Sequence, residues 1–227
     1  MTREISLDGV TVDVGNRLAL ADVTVRLDEP RIAVIGANGS GKSTFARLLN
    51  GLDTPTSGSV SVHGLDPVRQ GKQLRRKVGF LFTNPDAQIV MPTVAEDVAF
   101  SLRGRGLSAA EIADRVASVL AANGLSGHAD AAAHSLSGGQ KQLLALCSVL
   151  VTEPELLVAD EPTTLLDAAN TRRIADLISG LRQQVVLVTH NLRLAERCDV
   201  ALRFEEGRLV EQGDPVEVVG RYEREFA

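Results

Sequence analysis

Aromatic residues are scarce: 3% of the 227 residues, with six Phe, one Tyr and no Trp. The core must therefore be built from Val, Leu, Ile and Ala. Cysteine is nearly absent too. Cys147 and Cys198 stand far apart in apolar surroundings, in no metal-ligand spacing. They read as small buried hydrophobes, not as a disulfide or a catalytic thiol, which is compatible with a reducing compartment. No apolar stretch approaches the ~20 residues needed to span a bilayer. Residues 1–8 carry charges and no apolar centre, which excludes a signal peptide. A membrane role would have to come through a partner. The net charge of −5 gives no broad positive field for nucleic acid or anionic lipid. The local basic cluster Arg75, Arg76 and Lys77 reads as a solvated face.

What is present fits one folded α/β domain. Hydrophobic residues make up 44% and charged residues 23%, enough for a sizeable core with a soluble exterior. A length of 227 residues is long for one domain and short for two, and it suits a single domain with an inserted piece. Residues 10–14 and 23–27 alternate apolar and polar, as antiparallel strands do, with Gly15 and Asn16 in a turn. Residues 31–35 form a short β-branched run that ends at Gly36; a helix beginning near Lys42 closes at Gly51. Further strands are expected at 60–63 and 78–82. From Asn84 the pattern becomes helical. Capping boxes at Thr93/Glu96 and Ser108/Glu111 open helices over 94–102 and 109–122, and Gly124 stops the second. This block, residues 84–135, is expected to be an inserted helical subdomain, with 1–83 and 136–227 forming the core. After it come a helix following Ser137, a strand at 156–159, a helix following Asp167, a strand at 185–189 and a helix following Asn191. The strand pair 200–204 and 208–211 closes the sheet. Helices alternating with fully apolar strands imply a mostly parallel, doubly covered sheet.

Gly36, Ala37, Asn38, Gly39, Ser40, Gly41, Lys42 and Ser43 spell the phosphate-binding pattern G-x-x-x-x-G-K-[ST], between a strand and a helix. The glycines permit backbone conformations in which successive N–H groups point inward at phosphate, and the helix start, through Thr44, adds its dipole. Lys42 can reach the terminal phosphates and the Ser43 hydroxyl can bind Mg²⁺. This pattern indicates nucleotide binding without separating kinases, GTPases and motors. The apolar strand at 156–159 ends in Asp160 and Glu161. Adjacent carboxylates suit two jobs: Asp160 to hold Mg²⁺ through its water shell, and Glu161 to polarise an attacking water. In isolation such a pair is an ordinary solvated strand end. His190 ends another apolar strand; alone it reads as structural, and beside a phosphate cradle it is expected at the γ-phosphate.

Leu136-Ser137-Gly138-Gly139-Gln140 supplies a second anion-binding helix start, one more than a single ATP on the same chain requires. With the preceding motifs in this order, the chain resembles the ATP-binding cassette family over essentially its whole length. The resemblance implies an α/β P-loop NTPase fold, RecA-like with a mostly parallel sheet, an N-terminal antiparallel β subdomain and an inserted α-helical subdomain. It implies ATP and Mg²⁺ as cofactors and a dimer in which Ser137, Gly138, Gly139 and Gln140 cap the γ-phosphate of ATP held by the opposite subunit. Asp167 matches the loop that crosses the dimer interface. Asn84-Pro85-Asp86-Ala87-Gln88 and residues 92–100 resemble the energy-coupling-factor branch, whose ATPases sit on the cytoplasmic face of the membrane and drive separate transmembrane proteins in uptake of vitamins, cobalt or nickel. The short C-terminus and Ile89-Val90-Met91-Pro92 resemble the biotin-type systems. No nucleic acid partner is expected. The second ATPase subunit is either another copy or a paralogue.

Two positions depart from the family pattern. Thr83 stands where a phosphate-sensing Gln is usual, and Gln88 either takes over its coupling contacts or is a surface amide. Val14 stands where an adenine-stacking aromatic is usual. The apolar trio at 89–91 reads either as a docking surface for a transporter helix or as packing within the helical block. Two rival functions remain: a cassette ATPase acting on DNA or the ribosome, disfavoured by the acidic charge and the absence of tandem cassettes or basic tails, and a P-loop kinase, which needs no second phosphate cap.

Overall fold

The computed structural model describes residues 3–15 and 17–225; Asn16 of the expected turn lies outside them. The chain opens with β1 (Ile5–Val14) and β2 (Arg17–Leu27), a pair that joins β4 (Ser57–Val62) in a three-stranded antiparallel sheet of order β2-β1-β4. Both first strands run longer than alternation at 10–14 and 23–27 alone suggests: Ile5 and Leu7 on β1 and Leu20 on β2 are also fully buried. β3 (Arg31–Ile35) leads into α1 (Lys42–Leu48), and Gly51 follows its end at φ +72°. A short α2 (Gly71–Leu74) precedes β5 (Val78–Leu81).

The helical block comprises a 3₁₀ turn (Pro85–Ala87), α3 (Val94–Phe100) and α4 (Ala109–Ala122). Both expected capping boxes are present. α3 stops two residues before the expected end, as the chain turns toward Gly104 in the left-handed region, at φ +71°. Then come α5 (Gly138–Leu150), β6 (Leu156–Asp160), α6 (Ala168–Ser179), β7 (Gln184–Val188), the single turn α7 (Leu192–Ala195), β8 (Val200–Glu205), β9 (Arg208–Gly213) and α8 (Pro215–Glu225). The second sheet has order β5-β6-β7-β3-β8-β9, parallel throughout except for the β8–β9 hairpin. The fold is thus the expected α/β class, with one antiparallel and one mostly parallel sheet.

Strand periodicity divides the core cleanly. On β6, Leu156 and Val158 face the layer that holds α1 and the antiparallel sheet, while Leu157 and Ala159 face α5 and α6. On β7, Val186 and Val188 take the first side, and Val185 and Leu187 the second. Alternate side chains point to opposite faces, so a strand covered on both faces is apolar at every position. α1 lies within the first layer: Phe45, Ala46 and Leu48 are fully buried, and the Phe45 ring meets that of Phe204 at 5.3 Å between centroids.

Register places three strand ends in one row. Val34 on β3 pairs with Val188 on β7, which pairs with Asp160 on β6. Gly36, Glu161 and His190 therefore emerge beside one another at the same edge of the sheet. In such open α/β sheets the crevice at the carboxyl ends of the strands is where ligands bind.

The few aromatics make Phe45 a test of this packing. Phe45→Ala should lower unfolding stability by about 3–5 kcal/mol and loosen α1, seen as a lower urea midpoint; an unchanged midpoint would mean that α1 is held by something other than this layer.

Candidate nucleotide-binding site

Gly36 begins the phosphate loop at φ +140°, and a Cβ there would overlap the Phe204 carbonyl oxygen of β8. Only glycine permits both the conformation and that close approach. Gly39 (φ +77°) and Gly41 (φ +106°) are also left-handed, and a Cβ on Gly41 would lie 2.6 Å from the Ala19 carbonyl oxygen. Ser40 is buried at 4% exposure, and its Oγ has no hydrogen-bond partner among the described residues. A buried hydroxyl without a partner is costly, so Ser40 is a donor held ready inside the loop.

Lys42 is 6% exposed and its Nζ donates to the carbonyl oxygens of Gly36 and Ala37, at 2.8 Å each. Burial pulls its pKa below the usual lysine value, opposed by Glu161 and Asp160. Ser43 donates from Oγ to Asp160 Oδ1 at 3.1 Å. Burial raises the Asp160 pKa, against the Ser43 hydrogen bond that lowers it. Thr44 lines the same cleft, which has a volume of about 400 Å³ and is also lined by Glu161, Lys42, Ser43, Val14, Arg17 and Ala19. Asn38 and Gly39 form its wall.

Glu161 follows β6 at φ +54°, a left-handed conformation that costs an L-residue about 1–2 kcal/mol. The turn is fastened by its N–H, which donates to the Val188 carbonyl at 2.9 Å. It aims the carboxylate back across the sheet edge. Glu161 Oε2 pairs with His190 Nδ1 at 2.7 Å and accepts from Thr164 Oγ1 at 3.0 Å and His190 N at 3.3 Å. Thr164 is absent from the sequence reading; its place in Glu161-Pro162-Thr163-Thr164 is the available signal. The structure thus brings the loop, Asp160, Glu161 and His190 together.

It does not bring Ser137, Gly138, Gly139, Gln140 or Asp167 to that cleft; none of them lines it. Ser137 caps α5 with a full capping box: its Oγ accepts from Gln140 N at 3.3 Å, and Gln140 Oε1 accepts from Ser137 N at 2.9 Å. Gln140 Nε2 also lies 3.0 Å from His128 Nε2. Ser137 and Gly138 are exposed and Gly139 is buried. A Cβ on Gly139 would overlap the Asn170 amide. Asn170 in turn donates to Asp167 through its backbone N at 2.8 Å and its Nδ2 at 3.0 Å. These bonds pull the Asp167 pKa down. Asn170, which no motif marks, is therefore the link between Asp167 and the start of α5. Leu165, two residues before Asp167, is 63% exposed.

Thr83 and Gln88 both face inward. Thr83 Oγ1 donates to the Asp160 carbonyl at 2.9 Å. Gln88 Oε1 accepts from Phe82 N at 3.2 Å and its Nε2 donates to Ala145 O at 3.4 Å, so Gln88 is tied to β5 and α5 instead of lying free on the surface. Beyond it Val90 is 62% exposed. Cys147 is buried and Cys198 half-buried; both are free thiols, and burial pushes the pKa of each up to about 12.

The ABC transporter family matches residues 20–164. A biotin transport ATP-binding protein, BioM of Rhizobium etli, is 46% identical over 223 residues, covering 98% of this chain and 99% of that one. An energy-coupling factor transporter ATP-binding protein, EcfA1 of Symbiobacterium thermophilum, is 43% identical over 216 residues, covering 92% of this chain and 75% of that one. Among solved structures, CbiO1 of Clostridium perfringens, described as part of the ABC transporter complex CbiONQ, superposes with a TM-score of 0.85 at 31% identity, covering 97% of this chain and 92% of that one. The chain accordingly belongs to the ABC transporter family, as an ATP-binding, ATP-hydrolysing subunit of the energy-coupling-factor type. No helix among the described residues is long and apolar enough to cross a membrane.

Gly36 tests the loop geometry. Gly36→Ala should lower stability by about 2 kcal/mol or more and reduce ATP affinity, measured by chemical unfolding and equilibrium binding; wild-type values for both would show that β8 can retreat from the loop.

Proposed function

We propose that this chain works as a dimer on the cytoplasmic face of a membrane importer, with each ATP clamped between the Lys42 loop of one subunit and residues 137–140 of the other. The observation that carries the proposal is the separation within one chain. The phosphate loop and Glu161 line one cleft, with Asp160 bonded to Ser43 and His190 to Glu161 behind them, while the exposed N-terminus of α5 does not line it. A helix N-terminus with free N–H groups and a serine hydroxyl favours an anion, and a neighbour's γ-phosphate satisfies it.

The geometry supports a role for each residue. Ser40 and the amides of Asn38, Gly39, Gly41 and Thr44 cradle the phosphates. Lys42 exchanges its carbonyl partners for phosphate oxygens, a charge-assisted and stronger bond. The oxygen pair Ser43 Oγ and Asp160 Oδ1, 3.1 Å apart, suits a hard divalent cation and would hold Mg²⁺, which supplies neutralisation of the developing phosphate charge. Glu161 accepts the hydrogen bond of the attacking water and draws off its proton. His190 keeps the Glu161 carboxylate in place and reaches the γ-phosphate. Thr83 braces the strand end that carries Asp160, and Gln88 ties the loop at 89–91 to α5. Asp167 carries the state of the dimer contact into α6.

A separate transmembrane protein docks on the helical block, where Val90 and Phe100 are 62% and 40% exposed. The resemblance to energy-coupling-factor ATPases supports uptake of a vitamin, cobalt or nickel, and the Rhizobium etli relative favours biotin among these. The second ATPase subunit is either another copy of this chain or a paralogue.

Two substitutions test the clamp. Glu161→Gln should retain ATP binding, lose turnover by roughly 100-fold or more and accumulate as an ATP-dependent dimer in size-exclusion chromatography; a variant that remains monomeric at saturating ATP and Mg²⁺ contradicts the proposal. Ser137→Arg should abolish hydrolysis while ATP binding to the same chain persists, and normal turnover in that variant would remove residues 137–140 from the reaction.

A further inference from the structure

We infer that Arg17 is the base-recognition residue of the nucleotide cleft, its guanidinium supplying the flat face on which the purine stacks. The inference rests on the reading of this cleft as the ATP site. Lys42, Ser43 and Thr44 would hold the triphosphate, and Val14, Arg17 and Ala19, which line the same cleft outside the phosphate motif, are left for the base. Among the described residues, no aromatic side chain lines the cleft. Val14 is 61% exposed and offers only a small apolar contact.

Arg17 is placed differently from an ordinary surface arginine. It begins β2 on the rim of the cleft, and its Nη2 donates to the Gly39 carbonyl of the phosphate loop. A Cβ on Gly39 would lie 3.0 Å from that nitrogen, so the guanidinium sits close against the loop. An in-plane hydrogen bond fixes the edge of the group and leaves its faces for stacking. Arginine stacks on aromatic faces through its planar, delocalised and weakly hydrated cation. Every base presents such a face, so stacking of this kind discriminates poorly between adenine and guanine.

The test compares ATP, GTP and inorganic tripolyphosphate, each with Mg²⁺, in equilibrium binding to the full-length wild type, Arg17→Ala and Arg17→Phe. Arg17→Ala should weaken ATP and GTP alike by about fivefold and leave tripolyphosphate affinity unchanged. Arg17→Phe should recover ATP affinity, because a ring can stack but cannot bond to the Gly39 carbonyl. Unchanged ATP affinity in Arg17→Ala overturns the inference. So does an equal loss for tripolyphosphate, which would place Arg17 in the phosphate loop's own structure, and so does failure of the phenylalanine to restore binding. A wild type that binds none of the three ligands would instead remove the ATP reading of the cleft.

Discussion

Gly36 leaves no room for a side chain, and much of the site follows from that. The backbone at φ +140° turns the chain directly off the end of β3 and against the Phe204 carbonyl. The loop is thereby set between β8 and the edge where β6 and β7 also end. Because Val34, Val188 and Asp160 share one register row, Gly36, Glu161 and His190 all arrive within two residues of the same line. A slip of one residue in either pairing would send Asp160 or Val188 to the wrong face. The apolar side chains that enforce this register are therefore part of the chemistry, although the cleft is not lined by them.

Within the site Lys42, Asp160 and Glu161 already have partners. Lys42 donates to two loop carbonyls, Ser43 is bonded to Asp160, and Glu161 is held by His190 and Thr164. Burial works against the charged forms of Lys42 and Asp160. A triphosphate with its cation would satisfy both at once: the phosphate supplies acceptors to lysine, and the metal supplies charge to the carboxylate. This exchange explains how a site assembled from buried charges remains compatible with a folded chain. The left-handed Glu161 belongs to the same economy, since strained backbone persists where surrounding bonds over-determine it.

Much of this was legible in the sequence because it is local. The phosphate loop, the acidic strand end and the capping boxes are patterns of adjacent residues whose physics does not depend on the rest of the fold. Continuous apolar runs located the central strands for the same reason. What escaped lay in tertiary geometry. No sequence pattern marks α8, since Pro215 to Glu225 is polar on most faces and only Pro215, Val218 and Val219 are buried. β1 was shortened at its start because Ile5 and Leu7 are too few to establish a period before Gly9. Arg17, Thr164 and Asn170 carry no motif; each acts through one contact with a residue distant from it or turned toward it. Gln88 shows the same limit. Spacing alone left it open as a surface amide, and only the positions of Phe82 and Ala145 turn it inward.

The central claim is that the two halves of one ATP site belong to different chains. Determining the structure of Glu161→Gln with ATP and Mg²⁺ measures this directly. The account predicts Ser137 Oγ and the Gly139 amide of one subunit within hydrogen-bonding distance, about 3 Å, of the γ-phosphate held by Lys42 of the other. A bound triphosphate whose γ-phosphate is contacted by a single chain alone would contradict it.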